Sequence, residues 1–132
     1  MTAVGKIVVV GASGLIGAKV VDILTANGAQ VLPASRRTGV DVLTGDGLTA
    51  ALSEARVVLD VTDSPSYADS ALMDFFTTST TNLLAAGQTA GVAHHIALSV
   101  VGADRMPDSG YMRAKVAQES RIAESGVPHT IL

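Results

Sequence analysis

The feature that most constrains this chain is a glycine pattern, Gly11-Ala-Ser-Gly14-Leu-Ile-Gly17, set directly after the apolar run Lys6-Ile-Val-Val-Val10. A continuous apolar run of that kind reads as a strand buried on both faces. Beyond the glycines, Leu15, Ile16, Lys19, Val20, Ile23 and Leu24 follow helical spacing until Asn27-Gly28 stops them. Strand, glycine turn and helix form the context that a dinucleotide-binding loop requires. In such a loop the first glycine permits the tight turn. The second lets backbone approach a pyrophosphate, and the third allows close helix–strand packing. The helix N-terminus contributes free N–H groups and a positive dipole end. Gly11, Ser13, Gly14, Leu15, Ile16 and Gly17 are therefore candidate cofactor-binding residues. A ligand-free strand–helix turn is the alternative use of the same glycines.

The rest of the chain repeats the alternation. Strands are expected at Gln30–Ala34, Val40–Val42, Arg56–Thr62, Ala93–Val100 and Pro128–Leu132, and helices at Gly47–Glu54, Ser66–Ala90 and Tyr111–Glu124. The Thr77–Thr81 run forms helix poorly on its own, so tertiary packing must hold it. This order predicts an α/β fold: a doubly wound parallel sheet (Rossmann fold), strand order 3-2-1-4-5-6, with helices on both faces. Ligands then belong at the carboxyl ends of the strands.

Composition narrows the function classes. With 48% hydrophobic but only 3% aromatic residues, the core must be aliphatic. A net charge of −3 gives no basic face for nucleic acid. The absence of cysteine excludes a disulfide scaffold and a thiolate metal site. The apolar stretch from Ile7 to Leu24 could suggest a membrane span, but its three glycines, Ser13, Lys19 and Asp22 favour a buried strand–turn–helix. Lys6 precedes too short an apolar run for a signal peptide. The reading is a soluble, cytoplasmic domain that binds neither nucleic acid nor membrane.

Further candidates lie at the expected strand ends. The second strand runs into Ser35-Arg36-Arg37, where an NAD site usually carries an acid. Two guanidiniums suit a 2′-phosphate instead, so NADP (NADPH) is preferred over NAD. Asp41 and Val42 end the third strand near the expected adenine, and Val61, Thr62 and Asp63 end the fourth near the nicotinamide-side ribose. Asp63 could equally cap the following helix. Tyr111 and Lys115 stand at i, i+4, which places phenol and ammonium on one helix face and lets the cation lower the Tyr111 pKa. Ser99 lies at the end of the fifth strand. His94 and His95, adjacent on a strand, point to opposite faces and read as structural rather than as metal ligands. Asp104, Arg105 and Asp108 read as a solvated rim before Tyr111.

Taken together, the glycine loop, Ser35-Arg-Arg37, Leu98-Ser-Val-Val-Gly102 and Tyr111-x-x-x-Lys115 resemble the short-chain dehydrogenase/reductase superfamily, most closely its atypical NmrA-like branch of NAD(P)-binding proteins. The resemblance implies a catalytic set of Ser99, Tyr111 and Lys115. Tyr111 acts as general acid on the substrate oxygen, Lys115 binds the nicotinamide ribose and depresses the Tyr111 pKa, and Ser99 polarises a carbonyl. It implies an NADPH-dependent oxidoreductase acting on a small-molecule carbonyl or quinone. An NADP-binding regulator or redox sensor without turnover is the alternative, and a nucleotide-sugar epimerase or dehydratase a second. The helices Ser66–Ala90 and Tyr111–Glu124 resemble the family's dimer-forming pair and admit a homodimer. Because the family's members are longer, residues 1–132 are expected to form the NAD(P)-binding domain without the carboxy-terminal substrate-binding part. The last strand is then expected to be an uncovered apolar sheet edge.

Overall fold

Lys6–Val10 (β1) is an interior strand of the sheet because Ile7 to Val10 are apolar on both faces, and Val8, Val9 and Val10 are essentially inaccessible. In the computed structural model, which describes residues 5–132, β1 is followed by Leu15–Ala26 (α1), Gln30–Ala34 (β2) and Leu48–Leu52 (α2). Ala55–Asp60 (β3), Asp69–Ala90 (α3), His94–Ala97 (β4), Gly110–Glu124 (α4) and His129–Ile131 (β5) complete the chain. The five strands form one sheet in the order β2-β1-β3-β4-β5, and every pairing is parallel.

Register decides what each face carries. Val8 pairs with Val58 and Val58 with His95, while Val10 pairs with Asp60 and Asp60 with Ala97. These residues therefore share one face, over which α2 and α3 bury Leu48, Ala51, Leu52 and Leu83. Each such leucine contributes roughly 1.5–3 kcal/mol by leaving water. Ile7 and Val9 look the other way and pack with Val20, Val21 and Leu24 of α1, together with Val57 and Leu59. Helices cover both faces, as expected. α4 lies against α3 and closes over Ala97 through Ile122.

The α/β parallel architecture matches the expectation, but its six strands and the order 3-2-1-4-5-6 do not. Val40–Val42 is not a strand. Its backbone groups are satisfied locally: the Asp41 amide donates to the Asp46 carbonyl, the Gly45 amide to the Asp41 carbonyl, and the Leu43 amide to Asp41 Oδ1 at 2.9 Å. Asn82 of α3 then reaches the Val42 carbonyl at 2.8 Å. Val40 stays apolar and buried, so the hydrophobic signal was real; the aspartate turn is what withholds the segment from the sheet.

The threonine-rich part of α3 is held as predicted. Ser79 and Thr80 are buried, Thr77 and Thr81 return their hydroxyls to carbonyls one turn back, and Arg121 of α4 donates to Thr81 Oγ1 at 2.9 Å. β5 forms the edge of the sheet beyond β4, with Leu132 exposed beside it. No helix among the described residues is long and apolar enough to cross a membrane.

Candidate functional site

At the carboxyl ends of β1, β2 and β3 lies a cleft of about 430 Å³. Of the residues chosen from sequence for cofactor binding, Gly11, Ser13, Gly14, Leu15, Ile16, Ser35, Arg36, Asp41, Val42, Val61, Thr62 and Asp63 line it. Gly17, Arg37 and Lys115 do not.

The glycine turn is a cradle that side chains would destroy. Gly11 adopts φ 87°, and a Cβ there would stand 2.8 Å from the Thr62 backbone. A Cβ on Gly17 would meet the Gly11 carbonyl oxygen at 2.0 Å, so Gly17 serves the cleft from behind by letting α1 approach β1. Gly14 is the N-cap of α1; it offers no side-chain cap, and the first turn carries no acid. The leading N–H groups of α1 are thus open to an anion in the cleft. Leu15 and Ile16 stand exposed at its rim, 76% and 47% accessible.

After β2 the chain makes a short 3-10 turn, Arg36–Thr38. Thr38 Oγ1 accepts from the Ser35 amide at 2.9 Å and donates to the Ser35 carbonyl at 3.0 Å, which fixes the turn. Arg36 points into the cleft lining, both arginines are exposed, and among the described residues the only ion pair is Arg113–Asp69. Asp41 is the acid on this side, and its Oδ1 is engaged by the Leu43 amide.

The end of β3 is organised by a buried carboxylate. Asp60 is 1% exposed and accepts from the Thr62 amide at 2.9 Å, from Thr62 Oγ1 at 2.6 Å and from Gln118 Nε2 of α4 at 3.3 Å. Asp63 accepts from the Ser64 amide and from the Tyr67 hydroxyl. That bond and the Asp63 charge raise the Tyr67 pKa. Asp63 does not cap α3, whose N-cap is Ala68.

α4 starts at Ser109, whose Oγ accepts from the Met112 amide, and it presents Tyr111, Lys115 and Glu119 at successive turns. The expected tuning of Tyr111 by Lys115 is not what the geometry produces. Burial, and then the charge of Asp63, raise the Tyr111 pKa above 10.0. Lys115 is buried, 2% exposed, and its ammonium donates to the Leu98 carbonyl at 2.9 Å and lies 4.3 Å from the centroid of the Phe76 ring. Burial lowers its pKa, opposed by Asp60, Asp63 and Glu119. Ser99 lies beyond the end of β4, and its hydroxyl donates to Glu119 Oε2 at 2.6 Å, about two turns along α4 from Tyr111. Tyr111 and Lys115 therefore share a helix face packed on Phe76, the Ser99 hydroxyl is directed to Glu119, and none of the three lines the cleft.

The histidines divide as expected. His94 bonds Thr130 Oγ1 at 2.8 Å, whereas His95 is buried on the opposite face and its pKa is lowered by burial. Among the described residues no group of three His, Asp or Glu converges on a metal position. Asp104, Arg105 and Asp108 are exposed before α4, as read.

Sequence reading missed Val10, Ala34, Val40, Leu43, Pro65 and Phe75 in the lining, and Asp60 and Gln118 behind it. Two signals were available. An aspartate inside a buried strand needs partners to be tolerated. In addition, the chain's four aromatic residues are all in one ladder: Phe75 against Phe76, Phe76 against Tyr111, and Tyr111 against Tyr67, with centroids 5.2, 5.9 and 6.1 Å apart. Of the four, Phe75 lines the cleft.

No protein-family model matches the chain, and no curated protein matches it. Solved structures do. A short-chain dehydrogenase/reductase superfamily protein from Agrobacterium tumefaciens with bound NAD is similar at TM-score 0.77 and 23% identity, over 96% of this chain and 48% of that one. The Citrobacter sp. triphenylmethane reductase complexed with NADP(H) is similar at 0.74 and 20%, over 96% and 48%. The UDP-N-acetylglucosamine 4-epimerase of Bacillus cereus is similar at 0.80 and 20%, over 96% and 52%. The chain spans about half the length of these structures and is similar to that half in fold.

Proposed function

We propose that the cleft binds a nicotinamide dinucleotide, NADP in preference to NAD, and that the chain is the cofactor-binding part of an NADPH-dependent reductase of carbonyls or quinones. One observation carries the reading: a single cleft collects the Cβ-intolerant glycine turn, the uncapped start of α1 and Arg36. A pyrophosphate is accommodated where Gly14 leaves the α1 amides open, and a 2′-phosphate where Arg36 stands without an acidic partner. Bound there, the nicotinamide supplies hydride; the protein's part is to position and to move the proton.

In this reading Tyr111 holds that proton. The phenol is protonated at neutral pH and can donate, although burial and Asp63 raise its pKa and make it a weaker acid than the lysine-tuned phenol expected from the sequence. Lys115 anchors the wall around it through Leu98 and Phe76. Val42, Val61 and Thr62 flank the adenine and ribose positions, and Ser99 acts through Glu119 rather than on the substrate. The test is NADPH oxidation with a panel of quinones and aldehydes; Tyr111→Phe turning over as fast as wild type would sink the acid role.

A second reading, a dinucleotide-responsive regulator without turnover, is favoured by one observation: the Lys115 and Ser99 heads are both engaged within the protein. NADP binding by calorimetry with no oxidation of NADPH by any panel member selects it. An epimerase is supported by fold likeness alone, and tighter binding of NAD than of NADP would bring it forward.

A further inference from the structure

Asp60 lies on the sheet face beneath α4, where a lone carboxylate is costly to bury. Its two oxygens are divided. Oδ1 takes both the amide and the hydroxyl of Thr62, a residue of the cleft wall, and Oδ2 takes Gln118 Nε2, from the helix that carries Tyr111 and Lys115. Thr62 is also the residue on whose backbone Gly11 packs, so Asp60 sets the floor of the glycine turn. Gln118 is 1% exposed and its Oε1 has no partner, so its amide is held in the helix packing by this one bond.

We propose that Asp60 is a positioning residue that couples occupancy of the cleft at Thr62 to the placement of helix α4 at Gln118. It touches neither cofactor nor substrate. A ligand pressing on the Thr62 wall is met by a carboxylate whose other oxygen holds α4, so the cleft and the Tyr111 face move as one unit. A core of apolar residues at Asp60 and Gln118 would pack as well, but it would leave the two walls independent. The proposal rests on the reading that a dinucleotide occupies the cleft.

The experiment is amide hydrogen exchange with and without NADPH, beside calorimetry of NADPH binding. At a ligand concentration about 100 times Kd, linked protection reaches roughly a hundredfold. Wild-type protein should show it both at residues 61–66 and at residues 110–116 of α4. In Gln118→Met, which keeps side-chain volume, protection should persist at 61–66 and be lost at 110–116. The double exchange Asp60→Asn with Gln118→Glu puts the amide on the strand and the carboxylate on the helix, and should restore it.

Without ligand, Gln118→Met should speed exchange of the Thr62 amide about fivefold, the equivalent of one ordinary hydrogen bond, and leave β2 unchanged. Unaltered protection of α4 in Gln118→Met overturns the coupling, as does an unaltered Thr62 amide in the ligand-free protein. Absence of NADPH binding in wild type instead removes the dinucleotide reading, and the ligand-free comparison still decides the coupling.

Discussion

The ammonium of Lys115 lies 4.3 Å from the centroid of the Phe76 ring and donates to the Leu98 carbonyl, not to Tyr111. The cation that i, i+4 spacing sets beside the phenol is therefore held between an aromatic face and a backbone oxygen. What dominates at Tyr111 is burial and the nearby Asp63 carboxylate, and both favour the neutral phenol.

Tyr111→Phe keeps the ring that stacks edge-on to Phe76 and Tyr67 and removes only the hydroxyl. Stability should change by less than about 1 kcal/mol. Turnover should fall about a hundredfold or more, the usual yield of a positioned general acid. Because burial and Asp63 raise the Tyr111 pKa, any alkaline decline in wild-type activity from this group should set in at higher pH than for an ordinary tyrosine. Thermal melts and a pH–rate profile check the three statements.

Two glycine substitutions should separate folding from binding. A Cβ at Gly17 meets the Gly11 carbonyl at 2.0 Å, so Gly17→Ala should lower stability by about 1–3 kcal/mol or more. Gly14 has φ −76° and the nearest atom to its Cβ is 3.4 Å away. Gly14→Ala should therefore melt like wild type yet bind NADPH at least tenfold more weakly, by about 1.4 kcal/mol. Melting curves with calorimetric titrations distinguish these outcomes.

Arg36 lines the cleft and Arg37 does not. A charge-assisted bond to a 2′-phosphate contributes about 1.5–3 kcal/mol. Arg36→Ala should thus weaken NADPH about ten- to a hundredfold and leave NADH nearly unchanged, while Arg37→Ala should do much less. Parallel titrations with both dinucleotides give the comparison.

Burial lowers the His95 pKa below its ordinary 6.5, so the unfolded chain binds the extra proton first as pH falls. Its contribution to stability is complete above pH 6.5 and is lost progressively below that value. Urea midpoints measured from pH 8 to pH 5 should decline through this window, and His95→Leu should flatten the slope. An equal slope in both proteins would place the acid sensitivity elsewhere.

Much of the fold was legible because its signals are local. β1, the glycine turn and α1 follow from an apolar run, three glycines and helical spacing, and the cleft they build holds most of the residues chosen for it. The arginine turn after β2 was legible for the same reason, as two charges at a strand end. Val40–Val42 failed because an apolar segment looks alike in a strand and in a buried loop. Asp41, returning its carboxylate to the next amides, chose the loop.

The sequence by itself thus determined the parallel α/β order and the glycine turn, both of which depend on neighbours along the chain. Only the tertiary structure decided what the polar side chains of α4 do. The Ser99 hydroxyl goes to Glu119, Lys115 goes to Leu98 and Phe76, and Gln118 goes to Asp60, its neighbour only in space. The reason is physical: a buried polar group gains by bonding to whatever partner packing brings near, and spacing along a helix does not say which one arrives.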